Sequence, residues 1–341
     1  MNTRGENEAG RSERRWPAFL LTGILAPIFL NLEYLPRLLV PSFPGTVLYG
    51  ITTLILGIVM PFVFYACCGM AFRPERGLTD GRENGRRTSG ESKKTYGNAQ
   101  RSPGAAFRKA YTLRNFGVGM RELFPVFAIS AGTVLLHIGS RTPLRRGEDL
   151  FCALAVTAAA AALTEEAAFR VFAIRLCMRI LKPTNKGDHR KDISGGKENG
   201  KGLQKDDPVG KENEGGIENG EDRYDSAAER AQISVWISAV IFALSHGGNL
   251  FAGQPLLMTV LQIGWALGMG LLIGGIFIRT GTILPGIAAH AVNNAADACF
   301  LSVQTAGAEL IFQAAASAFL LLVGIRTVMH KNPLIYQKYE L

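Results

Sequence analysis

The chain has 341 residues, is 48% hydrophobic and carries a formal net charge of +9. That length allows two or three soluble domains. The apolar residues instead gather into blocks of about 20, long enough to span a membrane, and this excludes an ordinary soluble architecture.

Eight apolar stretches predict an all-α, polytopic transmembrane bundle. The first covers about 17–34, "PAFLLTGILAPIFLNLEY". No convincing small-residue cleavage site follows it, so it reads as a retained helix. With the second stretch, near 46–72, it makes an N-terminal hairpin over 1–72. Residues 73–121 follow, with 12 Lys/Arg against 4 Asp/Glu. Such an excess beside apolar blocks fits a cytoplasmic loop. Nucleic acid is the other reading of a basic segment, but no interleaved aromatics or recognisable module accompany the charge.

Residues 122–341 hold the other six stretches, near 122–140, 149–181, 231–251, 255–278, 282–302 and 306–328. The one at 282–302 is short and contains polar residues. Between 182 and 230, Gly, Lys, Glu, Asn and Asp dominate, and such a chain cannot bury enough apolar surface to offset its ordering entropy. It reads as a disordered cytoplasmic insert, as does 76–104. Small-residue runs, "ALAVTAAAAAL" and "GWALGMGLLIGG", let helix backbones approach closely. The cysteines Cys67, Cys68, Cys152, Cys177 and Cys299 lie in apolar blocks without metal-type spacing and read as small buried residues.

Charge supports the even count. Arg4, Arg11, Arg14 and Arg15 precede the first stretch. Basic segments follow the second and fourth, Arg279 follows the sixth, and Arg326 and Lys331 flank the end of the eighth. The alternate loops carry only Arg37 or nothing, which predicts both termini in the cytoplasm. The loop with Arg141, Arg145 and Arg146 is the one exception.

Polar residues inside these stretches are functional candidates, because an unpaired polar group costs several kcal/mol in lipid. Glu166 and Arg170 stand at i and i+4 and are placed to pair. That leaves Glu165, about 100° round the helix, as a free carboxylate suited to acid–base work. Phe242 and His246 share a face near the far end of the fifth stretch. His290, Asn294 and Asp297 form one polar stripe on the seventh, while Asn293 points partly elsewhere and suits a packing hydrogen bond. His137 has no polar partner at helical spacing and reads as interfacial. Helix bundles build sites from such inward residues on facing helices.

In order, Glu165-Glu166-x-x-x-Arg170, Phe242-x-x-x-His246 and His290-x-x-x-Asn294 resemble the three motifs of the CAAX-protease and bacteriocin-processing family. These are intramembrane endopeptidases related to type II CAAX prenyl endopeptidase. The resemblance covers roughly 149–300 and makes 122–341 a protease-like domain. It implies that Glu165 activates the attacking water with help from His246. His290 and Asn294 would stabilise the oxyanion, with Glu166 and Arg170 holding the arrangement. The substrate would be a membrane-associated or lipidated protein or peptide, prenylated or not.

Two His and two Glu also suit zinc, with Glu165, Glu166, His246 and His290 as ligands. A metal-free glutamate mechanism is the preferred reading. After His246 the chain reads Gly247-Gly248-Asn249, so no second basic residue is there to take a substrate carboxylate. His246 also lies further out than Glu165 and His290, which requires a tilted helix, a break at Gly247-Gly248, or a topology shifted by one. The rival functions are a proton-coupled transporter and a non-enzymatic scaffold or bacteriocin-immunity protein. No internal repeat of the transporter kind is present.

Overall fold

A computed structural model describes residues 46–71, 110–181, 220–251, 253–301 and 307–330. Among these the chain is all-helical apart from one isolated bridge, Leu144 with Phe300. Helix α1 is Val47–Ala71. Helices α2, Phe116–Glu122, and α3, Phe124–Gly139, meet at a 54° bend. Pro125 supplies no N–H at that break. Helix α4 is Gly147–Met178, α5 is Gly220–Ser245, and a 3₁₀ turn, His246–Leu250, follows it. Helix α6 is Leu256–Thr280, α7 is Leu284–Ala298 and α8 is Gly307–Met329.

Among the described residues, four helices are long and apolar enough to cross a membrane, or five if α2 and α3 count as one bent span. Helix α1 adds a shorter apolar stretch, Val47–Val59. The seventh stretch is a helix of only 15 residues. The first, 17–34, lies outside the described residues, as do 76–104 and most of 182–230.

Two expectations about loops are corrected. Residues 116–121, assigned to the basic loop, are helical because "FGVGM" continues the apolar pattern before the bend. Residues 220–230, assigned to the disordered insert, are the first turns of α5. The Gly/Lys/Asn composition ends just before them and helix formers such as Ala227, Ala228 and Glu229 take over.

Small residues set the packing. Helices α6 and α8 run parallel, with Gly264 against Ser317, Gly268 against Leu320 and Leu321, and Gly275 against Thr327 and Val328. A Cβ at Gly268 would stand 2.7 Å from the Leu321 nitrogen, so only glycine permits this approach. On another face of α6, Gly270 meets Ala239 and Gly274 meets Val235, both on α5.

Helix α7 is gripped at both ends. At its start, Ile283 N–H donates to Ala110 O (2.8 Å), Thr282 Oγ1 to Thr112 O (2.6 Å) and Asn115 Nδ2 to Thr280 O (3.0 Å). At its end, Arg145 N–H donates to Cys299 O (2.9 Å) and Leu301 N–H to Pro143 O (2.8 Å). Its short, polar sequence could not hold it in lipid unaided. The straps before α2 and α4 satisfy its flanking backbone.

Charge divides between the two ends of the bundle. The end where α2 begins and α6 finishes carries Arg114, Arg121 and Arg279, and Arg279 pairs with Glu122. At the opposite end Arg145 pairs with Asp149 at 2.9 Å.

Candidate active site

Glu165 and Glu166 close a short α-helical segment, Ala161–Glu166, within α4. π-helical stretches flank it on both sides, Ala153–Ala160 and Ala167–Ala173. Such widened turns often accompany functional sites. Small side chains let neighbours close in on the segment, as where Gly57 of α1 abuts Ala160. On α7, a Cβ at Gly286 would collide with Ile273 of α6, while Glu166 Oε2 would stand in ordinary contact at 3.7 Å.

Glu166 and Arg170 are both fully buried and ion-paired at 3.2 Å, as their spacing predicts. Glu166 Oε1 also receives His290 Nδ1 at 2.9 Å. A carboxylate held there accepts the Nδ1–H and fixes the imidazole tautomer. The other ring nitrogen, Nε2, lies 3.6 Å from Glu165 Oε2. Glu165 is the less committed carboxylate. Its side chain keeps 22% exposure, and Oε2 makes no hydrogen bond among the described residues. One imidazole thus bridges two carboxylates, with one arginine as countercharge.

Phe242 joins the rest. Its buried ring lies 4.3 Å beneath the Arg170 guanidinium. It meets His246 edge-on at 4.9 Å and His290 at 6.1 Å. His246 Nδ1 donates to Phe242 O at 3.0 Å, which leaves Nε2 as an acceptor. The span runs on through His246 to Leu250 as a 3₁₀ turn and is not broken at Gly247-Gly248. Helix α5 ends at Ser245, and His246 opens the 3₁₀ turn beside the wall it shares with His290.

Asn294 Nδ2 donates to the Thr157 carbonyl (3.0 Å), in the first π-helical stretch. Its second amide hydrogen makes no further contact among the described residues. Asn293 Nδ2 reaches only Asn294 Oδ1, at 3.4 Å. Asp297 is not part of the site. Its side chain is 80% exposed and pairs with His137 Nε2 at 3.1 Å. His137 therefore has a partner across helices, which helical spacing could not reveal, and it stacks on Phe300.

Tyr111, in the strap before α2, senses the site. Burial pushes its phenol up, the Glu166 carboxylate adds to this, and Arg175 opposes it. It stays a neutral phenol throughout the physiological range.

Of the four residues considered for zinc, Glu166 and His290 are hydrogen-bonded to each other. No group of three or more His, Cys, Asp or Glu side chains among the described residues could hold a metal ion. Glu166, Arg170 and His290 are instead committed to one another. Cys152 and Cys177 are buried and unpaired, and Cys299 is half-buried. The side chains of Cys67 and Cys68 lie outside the description.

Sequence reasoning missed the Thr157 carbonyl and the shared wall at Phe242. Only the FxxxH spacing pointed to Phe242.

Residues 147–296 match the family model described as Type II CAAX prenyl endopeptidase Rce1-like. Over that stretch the resemblance read from three motifs is borne out. It points to a membrane-embedded protease of the CAAX type. No curated protein and no solved structure matches the chain.

Proposed function

Taking the family match over 147–296 as premise, we propose that this protein is an intramembrane endopeptidase in which Glu165 activates water. The observation that carries this reading is the unbonded Glu165 Oε2, 3.6 Å from His290 Nε2. Glu165 takes a proton from water, the oxygen attacks the scissile carbonyl carbon, and an oxyanion forms. His246 Nε2, with its lone pair free, accepts a hydrogen bond from the same water. Asn294 donates its uncommitted N–H to the oxyanion. With Nδ1 held by Glu166, a protonated His290 Nε2 is the second donor. Glu165 then returns its proton to the leaving amine as the C–N bond breaks.

The remaining reading of the chain is part of this proposal. Eight segments cross the membrane, both termini are cytoplasmic, and 1–72 is an N-terminal transmembrane hairpin followed by the basic loop. The substrate is a peptide or protein in the bilayer, and a prenyl group is one lipid that would bring it there. The commitment of Glu166 and His290 to each other supports glutamate over zinc.

The test is cleavage of quenched, lipid-modified peptides in proteoliposomes. Glu165→Gln should lose at least about 100-fold and His246→Ala a comparable factor. Neither result should depend on a strong chelator. Undiminished cleavage by Glu165→Gln removes its role, and activity lost to chelator and restored by zinc transfers the mechanism to a metal.

A further inference from the structure

We propose that Asn249, Gln254 and Gln262 form a subsite for the uncharged main chain of a peptide substrate, beside His246. This rests on the endopeptidase reading and says where the substrate lies.

Two elements place the cluster independently. In a 3₁₀ turn residues three apart eclipse, so Asn249 stands in line with His246 within His246–Leu250. On α6, Gln262 lies one turn before Ala266 on the same face, and Ala266 is buried with Phe169, Phe242 and Ala243. Both elements bring the amides to the same end of the wall that Phe242 and His246 share.

There Asn249 Nδ2 donates to Gln262 Oε1 at 2.8 Å, and Gln254 Nε2 donates to the same oxygen at 3.0 Å. Gln254 N–H closes the turn on Asn249 O at 3.0 Å. One carbonyl oxygen thus orients all three side chains. Each amide offers two N–H groups and a carbonyl with two lone pairs. Among the described residues, Gln262 Nε2 and the Asn249 and Gln254 side-chain oxygens remain uncommitted.

The resulting surface mixes donors and acceptors and carries no charge. A peptide bond presents the same complement of one N–H and one C=O. A free carboxylate would find no cation here, in keeping with Asn249 standing where a second basic residue is missing. Leu250, Phe251, Leu256 and Leu257 are exposed around the amides, an apolar apron suited to a peptide arriving through lipid. Main-chain groups leaving water need polar partners, and the cluster supplies them beside His246.

Binding is measured on the full-length Glu165→Gln protein in liposomes. The probe is one fluorescent apolar peptide, made as a C-terminal carboxamide and as the free acid. Both forms should bind within about twofold of each other. Gln262→Leu should weaken both about tenfold, and the milder Gln254→Ala about fivefold, the scale of one or two hydrogen bonds. Asn249→Arg should turn the preference towards the free acid by about tenfold. Thermal unfolding in detergent monitors folding of each variant. The subsite is overturned if Gln262→Leu and Gln254→Ala bind as well as the parent, or if the parent already prefers the free acid tenfold. Binding that depends on these amides, in a protein whose wild type cleaves nothing, supports the subsite and removes only the endopeptidase reading. Cleavage with unaltered KM in both amide variants does the reverse.

Discussion

Arg170 is fully buried, and its terminal nitrogens make no hydrogen bond among the described residues. The Phe242 ring face at 4.3 Å takes their place, an arrangement worth about 2 kcal/mol when dry. Arg170→Met would strand Glu166 as an unpaired buried carboxylate. Thermal unfolding in detergent should show a loss of about 3–5 kcal/mol. Adding Glu166→Gln should recover much of it, because the pair's attraction largely offsets its own desolvation. Phe242→Leu removes the wall behind both histidines. On the proposed mechanism kcat should fall about tenfold with KM nearly constant, and Phe242→Tyr should restore most of the rate. Equal losses in kcat for Leu and Tyr would show that the ring does not orient the imidazoles. The Glu166–Arg170 pair was legible because i,i+4 spacing brings two side chains together whatever surrounds the helix. The pairing of His137 with Asp297 was not, because 160 residues separate the partners.

Helix α7 shows how a short, polar element is held among longer apolar helices. Its flanks are tied to straps from distant segments, and its middle faces α4. Packing elsewhere depends on close approach, as at Gly268, where a Cβ would stand 2.7 Å from the Leu321 nitrogen. Gly268→Val should separate α6 from α8 and lower stability by about 1–3 kcal/mol, seen as a lower unfolding temperature. An unchanged melt would mean that the two helices do not pack this closely. Most apolar stretches were legible as helices, since about 20 apolar residues in lipid have few other ways to satisfy their backbone. Helix α2 and the start of α5 were misassigned because composition averages over a boundary. The π-helical turns around Glu165 were invisible, as an alanine-rich run has the same pattern in either form.

At the scale of the molecule, the ends of the bundle differ in charge, and the topology reading can be tested there. In a chain with its native cysteines replaced, Arg121→Cys and Arg326→Cys should be labelled by an impermeant thiol reagent only after cells are opened. Glu148→Cys and Glu309→Cys should be labelled in intact cells. Labelling of all four from one side would refute the alternation. From its residues alone the chain declared a helical membrane protein with costly polar groups on three segments, and their order disclosed the family resemblance. Those features follow from local spacing and from the bilayer's intolerance of unpaired polar groups. Only the tertiary structure decided which carboxylate is committed, which nitrogens of His246 and His290 are engaged, and that Asp297 belongs elsewhere. Such choices depend on which atoms of distant segments meet within hydrogen-bond range, and no periodicity encodes them.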